Sequence, residues 1–111
     1  MPTVDEMGRE ALKALARLHS PAERALAEAE AWEFKAARAK ADYDAIAAES
    51  AHYARLAREE IGTPPGHIAF ERCKALHGAA KTAFLIYRRR KLAADRARRA
   101  ARLEARYGEA S

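Results

Sequence analysis

The sequence predicts an all-α fold: a long antiparallel helical hairpin of coiled-coil character with a short N-terminal helix against one end. Three observations predict it. Alanine, glutamate, lysine, leucine and arginine supply 72 of 111 residues, 30 of these being alanine, above the roughly one-half level at which helical periodicity marks long helices. Helix-breaking residues are confined to a few places, so the stretches between them are long. Apolar and small residues recur at alternating spacings of four and three. Leu, Ile, Val and Phe together number only 17, so the chain cannot build a thick core. Order must come from helix propensity and from close packing of small side chains. A sheet-based enzyme fold and a multidomain protein are excluded, and residues 1–111 are expected to form a single helical domain.

Each helix has its own punctuation. The first is expected at about 4–19, where Thr3 and Glu6 have capping-box spacing and Val4, Ala11, Leu12, Leu15 and Leu18 form an apolar side. Ser20-Pro21-Ala22-Glu23 is a second box, with Ser20 as N-cap and proline at the first helical position. Nothing then breaks the chain until Ile61, so the second helix is expected at about 21–61, some 60 Å long. The turn covers 62–66. Gly62 suits a left-handed cap, and Thr63-Pro64-Pro65-Gly66 restarts a helix. The third helix is expected from about 64 to 107, weakened by Gly78 and ended by Gly108. Two helices of similar length across so short a connection should fold back on each other.

The apolar stripes fit that arrangement. In the second helix the four-three spacing runs through Ala25, Ala29, Trp32, Ala36, Ala39, Tyr43, Ile46, Ser50, Tyr53 and Ala57 to Ile61. Alanine allows close approach but buries little area, so Trp32, Tyr43, Ile46 and Tyr53 should supply most of the adhesion. The third helix offers a broad matching face of Ile68, Ala69, Cys73, Leu76, Ala80, Ala83, Ile86 and Tyr87, continued by Ala93, Ala94, Ala97, Ala100 and Ala101. The segment Phe84–Tyr87 is expected in the hairpin core. A second, weaker face of the second helix contains Ala27, Phe34, Ala37, Ala41, Ala45, Ala48 and Leu56. Exposed alanine costs nothing and can be helix-forming filler; Phe34 and Leu56 favour the other reading, a packing surface for a protein partner or a second copy.

Charge is concentrated at one end. Between Arg88 and Arg106 nine cationic residues face only Asp95 and Glu104, a net +7, whereas the whole chain carries +5. On a helical wheel Arg88, Arg89, Lys91, Arg96, Arg98, Arg99, Arg102 and Arg106 occupy the half opposite the alanines, and Arg90 does not. This makes a cationic surface about 25 Å long on a rigid rod. Arginine forms fork-shaped bonds to phosphate and stacks on bases, so the surface is expected to hold a nucleic-acid backbone by charge and shape rather than by sequence. The hairpin places this end beside Glu23, Glu28, Glu30 and Glu33. Arg24 and Lys35 offset two of these acids, which leaves about −2 against +7. An acidic protein surface would suit the same cations. Membrane binding is not expected, because only Leu92, Leu103 and Tyr107 could anchor the basic segment.

No catalytic residue is expected. Ser20 is committed to capping and Ser50 sits in the seam, and no phosphate loop, nucleophile elbow or HExxH pattern occurs. Cys73 and His77 stand four apart, but two ligands do not make a metal site, and a packed cysteine and histidine is expected beside Phe70 and Phe84. No cofactor or metal is expected. Cys73 is the sole cysteine, so nothing points to an oxidising compartment. Asp5, Glu6, Arg9, Glu10 and Lys13 interrupt any signal-peptide core, and the expected setting is cytoplasmic. No family is identified by motif. In general form, a small basic helical bundle without catalytic residues, the chain is similar to small helical subunits of multi-subunit nucleoprotein complexes, including those that line a guide or displaced strand in CRISPR effectors. It is equally similar to phage and plasmid DNA-processing accessory proteins.

Overall fold

The computed structural model describes residues 20–110, with side chains through Gly108, and also Glu6, Gly8, Arg9, Glu10 and Lys13, whose backbone is helical. The expected first helix at about 4–19 otherwise lies outside the described residues. Two long helices, α1 (Pro21–Glu59) and α2 (Pro64–Ala110), pack antiparallel, with no strand among the described residues. The all-α helical hairpin of the sequence reading is the observed architecture. The molecule is 70 Å in its longest dimension and 13 Å in its thinnest.

The start of α1 follows its capping sequence. Ser20 is extended at φ −66°, ψ 160°, and its Oγ accepts a hydrogen bond from the Glu23 backbone N–H at 3.1 Å. At the other end α1 stops at Glu59, two residues before the expected Ile61. Thr63 is the cause. Its hydroxyl donates to the Glu60 carbonyl at 2.6 Å and accepts from the Gly66 N–H at 3.2 Å, while its own N–H also donates to Glu60 O at 3.1 Å. One side chain thus closes α1 and caps α2. Gly62 takes φ +82°, the left-handed conformation expected of it.

The C-terminal boundary differs from expectation. Helix α2 continues through Gly108 to Ala110. Glycine permits a left-handed cap but does not impose one, and Gly62 is the only glycine with positive φ among the described residues. Gly78 sits within α2 with open space where a Cβ would lie. Gly78→Ala is therefore expected to stabilise the hairpin by about 0.5–1 kcal/mol, read as a higher midpoint in chemical unfolding at unchanged slope.

The seam obeys the four-three repeat on both sides. On α1, Ala29, Ala36 and Ala39 are buried, with Trp32, Tyr43, Ile46, Ser50 and Tyr53 half-buried between and beyond them. On α2, Ala69, Ala80, Ala94 and Ala101 are buried, and Cys73, Leu76, Ala83, Tyr87, Arg90 and Ala97 complete the repeat. Among the described residues no side chain larger than alanine is fully buried. The sulfur of Cys73 lies 3.8 Å from Ser50 Oγ across the seam, and the Tyr43 ring packs on Phe84 with centroids 5.5 Å apart.

This seam is narrower than the broad α2 face expected from sequence. Ile68, Ile86 and Ala100 are exposed, and of Phe84–Tyr87 only Tyr87 lies on the seam. His77, expected to be packed beside Cys73, is exposed too. The reason is geometric. Two helices share a stripe of two positions per seven, and positions flanking that stripe are covered only where a further helix packs on them. Arg90 enters the seam instead and donates to the Lys35 carbonyl at 3.3 Å.

Candidate nucleic-acid interface

The C-terminal half of α2 presents its cations according to the seven-residue repeat. With Tyr87, Ala94 and Ala101 turned into the seam, Arg88 and Arg102 flank one side of the helix, Arg89 and Arg96 flank the other, and Arg99 and Arg106 lie along the outer edge. All six are exposed. None forms an ion pair with another described residue. Lys91 is exposed and lies 3.8 Å from Asp95 one turn on. The alanines on the inner side let α2 lie close to α1, which turns the charged side fully outward.

Arg98 differs from its neighbours. Half-buried at the edge of the seam, it donates from Nε to Glu33 Oε2 at 3.0 Å and from Nη2 to Glu33 Oε1, a two-point bridge between the helices. The hydrogen bonds from Arg98 hold the Glu33 carboxyl below its ordinary range and push the Arg98 guanidinium above its own, with the charges of Arg102 and Lys91 adding to the effect on Glu33. Of the acids that the hairpin sets beside the basic end, Glu33 takes Arg98, and Glu28 lines a shallow depression with Arg96 without pairing to it. Pairing within the hairpin thus consumes one of the eight expected site cations across the seam and leaves the outer surface positive. The sequence pattern could not single out Arg98, because its role depends on the register in which α1 meets α2.

Three apolar side chains lie among the cations. Leu92, Leu103 and Tyr107 are all exposed, and Tyr107, which follows Arg106 in the sequence, lines a shallow depression with Glu23 and Glu104. An exposed aromatic ring is a stacking platform for bases. Its position one residue beyond the last arginine is legible in the sequence, but the sequence reading assigned it no such role.

The residues expected to meet a protein partner are separated. Phe34 is 68% exposed on the outer edge of α1, directly opposite the seam, with Ala27, Ala41 and Ala48 along the same line. Leu56 is half-buried on a flank of the helix 22 residues further on, roughly 33 Å away. The two do not form one patch. No group of three or more His, Cys, Asp or Glu side chains among the described residues is placed to hold a metal ion. No described helix is long and apolar enough to cross a membrane. Comparison of the chain with protein-family models, curated proteins and solved structures finds no match.

Proposed function

We propose that the chain is a non-catalytic, cytoplasmic helical accessory subunit, self-associating or part of a multi-subunit nucleoprotein complex, that holds a nucleic-acid backbone on the arginine surface of α2. The observation that supports this reading is the set of six exposed arginines without ion-pair partners among the described residues, on a rod of fixed shape. Backbone contact needs charge at intervals along a strand and does not need a pocket. Arginine on three sides of one helix also allows the strand to wrap around the α2 edge and reach Tyr107.

Binding should be salt-sensitive and weakly selective for sequence. With four or five arginines on a single strand, log K is expected to fall against log salt with a slope near −3. Titration of fluorescent single-stranded and duplex oligonucleotides at several salt concentrations, with light-scattering mass on the same samples, reads both affinity and stoichiometry. A slope near zero, or no complex at low salt, would sink the proposal. A second reading, a hairpin adaptor or chaperone for a protein, draws on the exposure of Phe34. A polar substitution there would then release the protein partner while oligonucleotide affinity stayed the same.

A further inference from the structure

The hairpin is a single layer. It consists of two helices side by side, one helix diameter thick, and its seam is closed by alanines. Helical domains ordinarily bury their apolar faces by packing a second layer on the first. The two broad faces of this hairpin differ. One is crossed by charged side chains, with Ile68 and Ile86 exposed beside them: Arg72 reaches Glu49 at 3.7 Å and lies 5.2 Å from the Tyr53 ring, and Lys35 lies 4.7 Å from Trp32. The other has no ion pair across the seam from the tip to mid-length among the described residues. There Lys74 lies 5.3 Å from the Phe70 ring, and two mainly apolar depressions bordered by Arg58, His77 and Lys81 form a groove between Ile61, Phe70 and Phe84 over a floor that includes Ala47 and Ala54. Those three large side chains are 82%, 51% and 43% exposed.

We propose that this groove is closed by a second copy of the chain, in a two-fold dimer whose tips point the same way. Along the groove the largest side chains of α2 are Phe70 and Phe84, and α1 offers space at Ala47, Ala54 and Ala57. A two-fold axis along the rod lays α1 of one copy over α2 of the other, so each copy's phenylalanines meet the other's alanines. A dimer with opposed tips lays like helix on like, alanine over alanine and phenylalanine against phenylalanine, and fits poorly on both sides.

Charge favours the same pairing. Residues 21–59 carry eight acidic and six basic side chains, whereas residues 64–110 carry four acidic and twelve basic. Unlike helices attract and α2 repels α2. The Tyr43–Phe84 contact sets Asp44 at the height of Lys81, so Asp44 of each copy comes to face Lys81 of the other. The groove half of the face is about 36 Å long and about 20 Å wide. Covering it on both copies removes about 1,400 Å², within the range of specific, stable interfaces. This surface is separate from Phe34 and Leu56, and its occupation does not depend on polynucleotide binding.

The test uses the full chain with no nucleic acid, by light scattering from about 1 to 200 µM and by thermal melting over the same range. The expected mass at the upper end is twice 12.3 kDa, with a melting midpoint that rises with concentration. Ala47→Glu with Ala54→Glu places charge on the groove floor without removing packing, and should weaken the dimer about 100-fold while helicity is retained. Phe34→Asp should leave the dimer intact. Spin labels at Glu59→Cys in a Cys73→Ser background should lie under about 25 Å apart across the dimer, against about 36 Å or more for opposed tips. A monomer whose melting is independent of concentration overturns the dimer, even if the charged variant fails to fold. A dimer that survives the two glutamates, or is lost with Phe34→Asp, assigns the interface elsewhere and overturns the groove. A label distance in the longer range overturns the orientation.

Discussion

Replacing Arg96, Arg99 and Arg102 together by glutamate is expected to weaken oligonucleotide binding about 100-fold or more and to flatten the salt slope by about 2. The three residues sample both the flank and the outer edge of α2, so any strand that follows the surface meets at least one of them. Their reversal takes the net charge of residues 88–106 from +7 to +1, since each substitution removes one positive charge and adds a negative one. Folding should be spared. All three are exposed, none is in an ion pair with a described residue, and glutamate is a good helix former. Circular dichroism on the same sample separates lost binding from lost structure. A pair of reversals on α1, Arg38→Glu with Arg55→Glu, changes the overall charge by four units, against six for the triple variant, at exposed sites on the other helix. If the triple variant binds within about threefold of the wild type, or if the α1 pair is as damaging, the positive charge acts in bulk and α2 is not the interface.

The second large effect is expected at the tip. Gly66 is buried in the first turn of α2, and a Cβ there would sit 2.0 Å from the Glu60 carbonyl oxygen and 2.7 Å from its carbon. Both obstacles are backbone, so no side chain can move aside. Gly66→Ala must open the connection and break the Thr63 bonds that cap both helices. A cost of about 2–4 kcal/mol is expected, a large share of the stability of a small domain. Two other glycines provide an internal scale. Gly62→Ala has open space but a φ of +82°, and should cost about 1 kcal/mol. Gly78→Ala has neither obstacle and carries the opposite sign. Chemical unfolding of the three variants in parallel should rank them in that order, and an innocuous Gly66→Ala would show that the tip does not hold the helices at this spacing.

These glycines also mark what a sequence can and cannot disclose. Gly62 and the Thr63-Pro64-Pro65-Gly66 run announce a turn, because positive φ and proline at a helix start are local properties. The close approach of Gly66 to Glu60 depends on how tightly one residue, Thr63, draws two helix ends together, and spacing alone does not reveal it. The same division runs along the rod. The seam was legible on α1 from Ala25 to Ala57, where every member obeys the repeat; Ile61, expected to end it, breaks the spacing, lies past the end of α1 and is exposed. On α2 the apolar residues at flanking positions, Ile68, Phe70, Phe84 and Ile86, widened the apparent stripe, since a pattern records which side chains are apolar and not how many neighbours arrive to cover them. The basic surface was legible as composition, and the removal of Arg98 from it by Glu33 was not, because that contact joins residues 65 apart.

The seven-residue seam has a metrical consequence. Because Ala29, Ala36, Ala80, Ala94 and Ala101 keep the two helices in contact along the rod, distance along it is quantised in steps of one repeat, about 10 Å. The tip at Pro64 and the centre of the arginine surface at Arg99 are about 50 Å apart, close to five such steps. Removing one repeat from each helix shortens this span by one step and leaves every face pointing as before. Removing three residues from one helix, about 300° of rotation, would leave the arginines pointing about 60° away from their present direction. The alanine seam therefore makes the hairpin a ruler, whose length and angular setting are fixed by the same residues.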